Sequence, residues 1–426
     1  MKEDLLHFIW GQKKLHGRQL TSTTNEAISI KAPGVQNQYS GPDFFNAKIE
    51  IATQMWVGNV EIHLKSSDWY AHNHQTDSNY NNVILHVVWE DDIAVFRKDG
   101  SVIPTLELRE YVPQELLRNY QNLLEKNSPN FINCEKDFAE MDSFLVEHWL
   151  HRLYIERLEQ KSNRIEELLK KSNNDWEGVL FTMLARNFGS KVNGDFFLDR
   201  AIQLEYSTIR KISSSLEALE SLLLGHFGLL QVDDCTDRYF LQLQKEHKYL
   251  SRKFNLPPVL SKPEFFGLRP ANFPTIRTAQ LAHLYAKEQS LFSQIMEAST
   301  LEEIQAIFEV AASKYWDDHY TFGKTSKKGK KKLSKSFIDL LVINTIVPLK
   351  FCYSRHIGVD WNEALISLLS TITKEKNSII GGFDKLGSKT NNAMESQAKI
   401  QLHTHYCSKN KCLRCALGTH LLNRNT

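Results

Sequence analysis

The stretches Gly58-Asn-Val-Glu-Ile-His-Leu-Lys65 and Asn82-Val-Ile-Leu-His-Val-Val-Trp89 decide the fold of the N-terminal part of the chain. In the first stretch apolar and polar side chains alternate, which predicts a strand with one buried face. The second is almost continuously apolar and rich in β-branched residues, which is typical of a strand buried on both faces. Residues two apart on a strand share a face, so Glu61, His63 and Lys65 are predicted to lie together.

Around these two strands the sequence predicts an α+β protein. Residues 3–13 have apolar side chains at helical spacing and predict a short amphipathic helix, and residues 27–31 and 46–51 predict further strands. The polar and aromatic residues 66–81 predict a short helix or a long ordered loop. From about residue 113 the pattern is helical. We therefore expect segments with these boundaries: an α/β domain with a mixed sheet over 1–112, helical domains over 113–260 and 261–400, the second with a basic loop over 323–336, and a Cys-rich metal-binding tail over 401–426.

The composition limits the class of protein. The chain has 426 residues, of which 42% are hydrophobic and 24% charged, as in a globular protein of two or three domains. Its formal net charge is only +2, so any binding of nucleic acid must depend on local basic patches. The sequence shows no long apolar run and no secretion signal, so we expect a cytoplasmic protein without a membrane span.

The first candidate site combines two carboxylates with a basic group. Asp43 follows a Gly41-Pro42 turn, and if its strand pairs with the next strand as a hairpin, Asp43 meets Glu61 at one end of the sheet. Two carboxylates are suitable ligands for Mg²⁺ or Mn²⁺ in phosphodiester cleavage, and His63 or Lys65 would supply the basic group. The alternative interpretation is that Asp43 caps a turn while Glu61 and Lys65 form a solvent-facing pair.

The second candidate site is rich in histidine. His72 and His74 lie among Asp68 and Asp77, and His86 lies on the following strand. Imidazole and carboxylate together suit Zn²⁺, Mn²⁺ or Fe²⁺, and three such ligands with one open position would form a catalytic centre. His72 and His74 could also act as a general base or contact a phosphate. Otherwise Asp68 caps a helix and the histidines are ordinary surface residues.

The third candidate site is the motif C-x4-C-x2-C formed by Cys407, Cys412 and Cys415. Thiolates at this spacing can bind one metal ion or a cluster, but a fourth ligand is missing locally. The candidates for it are His403, His405, Cys352 and Cys134. The sequence leaves open a zinc site completed by His403, a [4Fe–4S] cluster completed by Cys134, and three free cysteines.

Basic residues in the second half of the chain are candidates for contacts with nucleic-acid phosphates. They comprise five lysines of the basic loop and two arginines of a Pro-fixed segment: Lys327, Lys328, Lys330, Lys331, Lys332, Arg269 and Arg277. The alternatives are a mobile, solvated loop for the lysines and a structural clamp for the arginines.

The order of elements in residues 1–95 resembles the core of the PD-(D/E)xK nuclease superfamily. The resemblance rests on a helix, a strand beginning at Pro42-Asp43, a strand with Glu61-x-basic, a short helix and a buried strand. It implies metal-dependent cleavage of DNA or RNA, with Glu3 as the acid of the helix and Asp43 and Glu61 as metal ligands. His63 stands where the superfamily has lysine, and Lys65 follows. Some nucleases of this superfamily carry an iron–sulfur cluster on a comparable tail. A nucleic-acid or protein adaptor without catalysis, and a His/Asp metal hydrolase of small substrates, are the rival interpretations.

Motifs along the whole chain look like those of an uncharacterised bacterial family, the domain of unknown function 2851. They are Gly-Pro-Asp-Phe at 41–44, Gly-Asn-Val-Glu-Ile-His at 58–63, Ser-Asp-Trp at 67–69, Arg-Pro-Ala-Asn-Phe-Pro-Thr-Ile-Arg at 269–277 and the cysteine tail. This resemblance implies a cytoplasmic bacterial protein and supplies no activity.

Overall fold

A computed structural model describes residues 2–16, 19–124, 130–231 and 234–424. The chain divides into two units: Met1–Trp149 with Leu386–Ser388 and Leu402–Thr426, and Leu150–Lys385 with Lys389–Gln401. The cysteine tail therefore belongs to the first unit, whereas the sequence suggested a separate segment. One reason is that the side-chain amide of Asn119 donates to the carbonyls of Leu422, at 3.1 Å, and Arg424, at 2.8 Å.

The first unit contains a seven-stranded mixed sheet, as predicted. Its strands are β1 (Leu20–Thr21), β2 (Ala27–Ala32), β3 (Val35–Gln36), β4 (Phe44–Ile51), β5 (Gln54–Lys65), β6 (Val83–Glu90) and β7 (Thr105–Glu107). They are ordered β1-β2-β4-β5-β6-β7, and β3 pairs with β4. β4 and β5 are antiparallel, while β5, β6 and β7 run parallel. The antiparallel pair brings the start of β4 next to the later half of β5.

Burial explains why β5 and β6 form the centre of the sheet. The first six residues of β6 are all buried, as its apolar run predicted. Gly58 in β5 allows the two strands to approach closely, since a Cβ there would lie 2.4 Å from Ile84 Cγ2 and 2.7 Å from the Asn82 carbonyl oxygen. The N-terminal helix packs against β5 and buries the apolar residues that predicted it.

A bulge near the start of β4 lies beside the candidate site. The register of β4 against β5 shifts between Phe44 and Ala47, and Asn46 has a positive φ of 57°. Asparagine tolerates this left-handed conformation better than most residues. Bulges bend a strand locally and re-aim neighbouring side chains, and this one separates the first residues of β4 from the regular ladder.

The remainder of the chain is mainly helical, as predicted. The helices are α1 (Glu3–Gly11), α2 (Asp68–Ala71), α3 (Gln114–Leu124), α4 (Ser143–Lys171), α5 (Trp176–Phe188), α6 (Ser190–Ile202), α7 (Tyr206–Ile212), α8 (Leu216–His226), α9 (Arg238–Lys253), α10 (Pro274–Lys287), α11 (Leu291–Glu297), α12 (Leu301–Ile307), α13 (Lys335–Leu341), α14 (Val347–His356), α15 (Asn362–Ser370), α16 (Ser378–Lys385), α17 (Ala393–Gln401) and α18 (Ala416–Leu422). A small hairpin of β8 (His319–Thr321) and β9 (Lys324–Thr325) interrupts them.

One continuous helical stretch, Lys335–His356, is long and apolar enough to cross a membrane by length and composition. The sequence predicted no membrane span, because charged and polar residues interrupt the apolar run. In the described part of the chain 72% of its most apolar window is buried inside the protein, as in the core helix of a folded domain.

Candidate metal centres

Asp43 and Glu61 lie side by side at one end of the β4–β5 pair. The backbone N–H of Asp43 donates to Glu61 Oε2 at 3.1 Å, and the N–H of Ile62 donates to Asp43 Oδ2 at 3.0 Å. Each carboxylate thus bonds to the backbone of the other strand, which confirms the predicted hairpin pairing. Glu61 is only 4% exposed and is not the solvent-facing residue of the alternative interpretation.

The histidines of the second candidate site converge on the same glutamate. His63 Nε2 lies 3.1 Å from His72 Nδ1 and 3.5 Å from Glu61 Oε1. His74 Nε2 lies 3.3 Å from the same oxygen. One nitrogen from each of the three rings lies within 4.8 Å of the others. The two candidate sites that the sequence suggested separately therefore form one cluster.

Aromatic packing and a short helix hold the loop histidines in place. The Asp68 carboxylate at the start of α2 accepts the backbone N–H of Lys65 at 3.0 Å, which fastens the loop to the end of β5. The ring of His74 stacks on Tyr80 with centroids 3.7 Å apart, and the buried Trp69 contacts the edge of His74. His72 is exposed and forms the open side of the cluster.

Burial sets the protonation of the cluster. It raises the pKa of Glu61 to about 9, and the neighbouring charge of Asp43 raises it further in the same direction. Burial, followed by the proximity of His86 and other histidines, lowers the pKa of His63 to about 2. Burial likewise lowers the pKa of His86 to about 3. The imidazoles of His63 and His86 are therefore neutral at physiological pH, and the neutral form is the one that binds a metal.

His86 orients His63 from behind. His63 Nδ1 and His86 Nε2 are 2.9 Å apart, so one of these nitrogens carries the shared proton. If His63 binds a metal through Nε2, its Nδ1–H donates to His86, and this fixes both tautomers. Such a second hydrogen bond orients a ligating ring and is typical of metal-binding histidines.

His7 belongs to the site and was missed by the sequence analysis. His7 Nε2 lies 3.2 Å from Asp43 Oδ2. Burial opposes protonation of His7, but its interactions with Asp43 outweigh it and raise the pKa. Glu3 lies near the same cluster: burial and then the charge of Asp43 raise the pKa of Glu3. Glu3 and His7 are four residues apart on α1, and this shared helical face was the available signal.

Lys65 is separated from the buried cluster. It is exposed at the end of β5, and among the described residues its ammonium group makes no ion pair or hydrogen bond. His63, which is 2% exposed, is therefore the basic residue of β5 that adjoins Glu61.

The cysteine tail lies with Cys134 in the first unit. Burial raises the pKa of the Cys134 thiol to about 12, and the nearby thiols of Cys415 and Cys412 contribute in the same direction. The pKa of Cys407 is raised by burial and then by Cys134, Cys415 and Cys412. The side-chain amide of Asn133 donates to Cys412 Sγ at 3.4 Å. The four thiols thus form one cluster that joins distant parts of the chain.

His403 and Cys352, two other candidate ligands of the tail, have different surroundings. The ring of His403 stacks on Phe131 with centroids 4.8 Å apart. Cys352 is buried within α14 of the second unit. Cys134 is consequently the candidate fourth ligand whose thiol is near the tail thiols.

Tight turns of the tail present the cysteines inward. Cys412–Arg414 forms a 3₁₀ turn in which the Cys415 N–H donates to the Cys412 carbonyl at 3.2 Å. Gly418 of α18 makes room for this turn, since a Cβ there would lie 2.3 Å from the Cys412 carbonyl oxygen. Backbone N–H groups of Leu417 and Gly418 donate to the Cys415 sulfur.

The predicted nucleic-acid contacts of the second unit have mixed surroundings. Arg277 is buried, donates to Asn272 at 2.7 Å and Gln280 at 2.9 Å, and lies over the ring of Phe337, so its guanidinium acts as a structural clamp and we correct its assignment. Arg269 is exposed.

The lysine-rich segment is fastened to the protein at several points. The Lys331 ammonium donates to the Asp317 carbonyl at 3.1 Å, and Lys332 pairs with Glu309 at 3.3 Å. The Gly329 N–H donates to the Asp317 carbonyl at 2.8 Å, which holds the backbone that we expected to be mobile. Lys327, Lys328 and Lys330 remain exposed.

Fold and site together define a mixed α+β protein whose histidine and carboxylate side chains meet at the end of two paired strands. Residues 3–378 match the family described as "Protein of unknown function (DUF2851)", and the chain belongs to that family. The predicted resemblance to this family is confirmed, and the match ends before the cysteine tail. Neither the curated proteins nor the solved structures contained a match to the chain.

Proposed function

We propose that this protein is a divalent-metal-dependent hydrolase that cleaves phosphodiester bonds in nucleic acid. The observation that carries the proposal is the convergence of Asp43, Glu61, His63, His72 and His74 at the end of β4 and β5. Burying so many ionisable groups together is costly unless a cation compensates them, and such clusters are typical of functional sites.

The spacing of the donor atoms suits one transition-metal ion. A tetrahedral ion with bonds of about 2.0–2.1 Å separates its ligands by about 3.3–3.4 Å. His63 Nε2 lies 3.1 Å from His72 Nδ1, and Glu61 Oε1 lies 3.3 Å from His74 Nε2 and 3.5 Å from His63 Nε2. Imidazole donors favour Zn²⁺, Mn²⁺ or Fe²⁺ over Mg²⁺. Of Mg²⁺ and Mn²⁺, the two metals predicted for the site of Asp43 and Glu61, we therefore favour Mn²⁺.

The residues around this ion have distinct tasks. When bound, a divalent ion polarises the phosphate and activates water. Glu61 uses Oε1 toward the metal position and Oε2 to hold the Asp43 backbone. Asp43 pairs with His7, whose raised pKa keeps a proton available for the leaving oxygen. Glu3 adds negative charge beside this pair.

The order of elements supports a nuclease rather than another hydrolase. α1, β2, β4, β5, α2 and β6 occur in this order along the chain, which resembles the order in the PD-(D/E)xK superfamily, and the resemblance assigns Asp43 and Glu61 to its acidic positions. The replacement of lysine by His63 agrees with a nitrogen-rich centre. A His-rich hydrolase of small substrates is the second candidate function, and the three imidazoles favour it.

The test measures cleavage of plasmid DNA, single-stranded DNA and RNA with Mn²⁺, Zn²⁺ or Mg²⁺. Asp43→Asn and Glu61→Gln should each lower the rate more than about a hundredfold, since loss of even an outer-shell partner costs roughly 10- to 100-fold. Glu50→Gln, at a half-buried position of β4 where the carboxylate pairs with Lys31, is the control outside the cluster. Hydrolysis of small phosphate esters without cleavage of any nucleic acid would favour the second candidate function. Binding of nucleic acid without any hydrolysis would favour the adaptor.

We also propose that Cys134, Cys407, Cys412 and Cys415 hold a [4Fe–4S] cluster. Four thiolates around one zinc ion, with bonds of about 2.3 Å, would lie about 3.8 Å apart. Among the described residues, which include all four cysteines, no three of these sulfurs lie mutually within 4.8 Å. A cluster binds each thiolate through its own iron and holds the sulfurs further apart.

Iron and sulfide analysis of protein purified without oxygen tests this assignment. About four irons and a brown absorption are expected for one cluster. Cys134→Ser should lose them, whereas Cys352→Ser, the buried control, should retain them. One zinc per chain, or no metal, would contradict the assignment.

A further inference from the structure

The same turns that bring the cysteines inward leave three cations outside. Lys409, Lys411 and Arg414 lie between the cysteines in sequence and are exposed, while Cys412 and Cys415 are 8% and 7% exposed. Among the described residues none of the three cationic groups makes an ion pair or side-chain hydrogen bond. This contrasts with Lys331 and Lys332 of the second unit, whose ammonium groups have partners within the protein.

These cations line a cleft of the first unit, and His7, which pairs with Asp43 of the candidate centre, lines the same cleft. The cleft has a volume of about 570 Å³, and its lining includes Lys409, Lys411 and Arg414 of the tail and His7 of α1. Asp4 is the acidic residue in the lining, so basic groups outnumber acidic ones. Because His7 pairs with Asp43, the cleft is connected through His7 to the candidate metal ligands.

We propose that this tail surface (Lys409, Lys411 and Arg414) binds the phosphate backbone of a single nucleic-acid strand and delivers it to the centre. The inference rests on the proposed function and names the surface that would hold its substrate. Several unpaired cations along one wall match a polymer with a phosphate at every step. A concave site with a hydrolytic centre at one side fits a strand better than a flat membrane surface.

The cysteine cluster acts as the positioning device for this surface. The cations occupy the short loops between its ligands, so a group bound by the thiols fixes where the loops project. Loss of the cluster should therefore weaken binding of nucleic acid without removing any cation. It should leave the centre able to hydrolyse a small substrate, because β4 and β5 hold the centre through their own hydrogen bonds.

The experiment measures binding of a fluorescein-labelled single-stranded DNA oligonucleotide by anisotropy across a range of salt. The background is Glu61→Gln, which prevents cleavage. The triple variant Lys409→Gln, Lys411→Gln and Arg414→Gln should bind at least about tenfold more weakly and lower the salt slope by about 2, because each lost contact with a single strand contributes about 0.7. The triple variant Lys327→Gln, Lys328→Gln and Lys330→Gln removes the same charge from exposed lysines that do not line the cleft, and it should bind normally.

Companion measurements separate this proposal from the proposed function. Hydrolysis of bis(p-nitrophenyl) phosphate should be unchanged by the tail variant in an otherwise wild-type chain. If the wild-type chain shows no hydrolysis and the tail variant nevertheless loses binding, the hydrolase proposal fails and the proposed binding surface stands. Unchanged affinity of the tail variant, or equal competition by polyglutamate, overturns the surface. If the triple variant loses its circular dichroism spectrum, Lys409→Glu alone replaces it and should show the same direction of change.

Discussion

The two clusters of metal-ligating side chains in the first unit are built in different ways. The histidine centre takes its ligands from the start of β4, from β5 and from the loop after it, within a short part of the chain. The cysteine cluster joins a loop near Cys134 to a tail, and Asn133 and Cys412 are 279 positions apart. The hydrogen bonds of a sheet hold its register without a metal. Short turns whose partners are distant in sequence need a metal to hold them together. We therefore expect metal at the first cluster to serve chemistry and at the second to serve folding.

The largest expected effect is on the rate of cleavage and concerns the two basic residues of β5. His63→Ala removes a ligand and should lower the rate more than about a hundredfold. Lys65→Ala should change the rate by less than about threefold, because its exposed side chain has no contact in the cluster. Single-turnover cleavage assays measure both. A severe loss with Lys65→Ala and not with His63→Ala would assign the basic role to Lys65, two residues beyond the position at which the superfamily has its lysine.

The next effect is on stability and concerns the cysteines. Cys134→Ser should lower the melting temperature by on the order of 10 °C, because the binding energy of a structural metal contributes to folding. Scanning calorimetry of the variant, with Cys235→Ser as the control, measures the change. A variant as stable as the wild-type chain would mean that the tail holds its turns without the cluster, and the contrast between the two sites would disappear.

The smallest effect is the pH dependence of the metal-free histidine centre. Burial raises the pKa of Glu61 to about 9 from an ordinary value of 4.5, so its contribution to stability is present at low pH and is lost as the pH rises toward 9. Between pH 7 and 9 the loss should amount to about 2 kcal/mol. Urea unfolding measures it, and Glu61→Gln should flatten the curve. His63, whose pKa is lowered, acts oppositely and costs stability only below pH 6.5.

The sequence predicted the local parts of the site and missed the parts that depend on distant packing. Alternation on β5 and the continuous apolar run of β6 predicted their burial, and the turn before Asp43 predicted its meeting with Glu61. The first and second candidate sites form one cluster because the loop after β5 folds so that His74 stacks on Tyr80. The periodicity of the sequence does not indicate this loop conformation. His7 could have been predicted as a site residue only if it were known which face of α1 packs against the sheet.

The basic residues also show that local sequence does not reveal contacts made by distant packing. A run of lysines indicated a patch, yet two of them are used inside the second unit, and Arg277 is buried beneath Phe337. The unpaired cations of the tail are spaced among cysteines and form no run. Exposure, which decides whether a cation is available, is a property of the folded chain and is not readable from local composition.

The long separation between Cys134 and the tail has a consequence for the order of events during synthesis. At about 5–20 residues per second, roughly 15–60 s pass on the ribosome between the appearance of Asn133 and that of Cys412, 279 positions later. The strands that carry the histidine centre emerge at the start of this interval and can pair within it. The wall of the cleft cannot form until the tail has been made. On the proposed function, a nascent chain carries the histidine centre before the tail surface that binds the strand, so cleavage of nucleic acid begins only after the tail has been made.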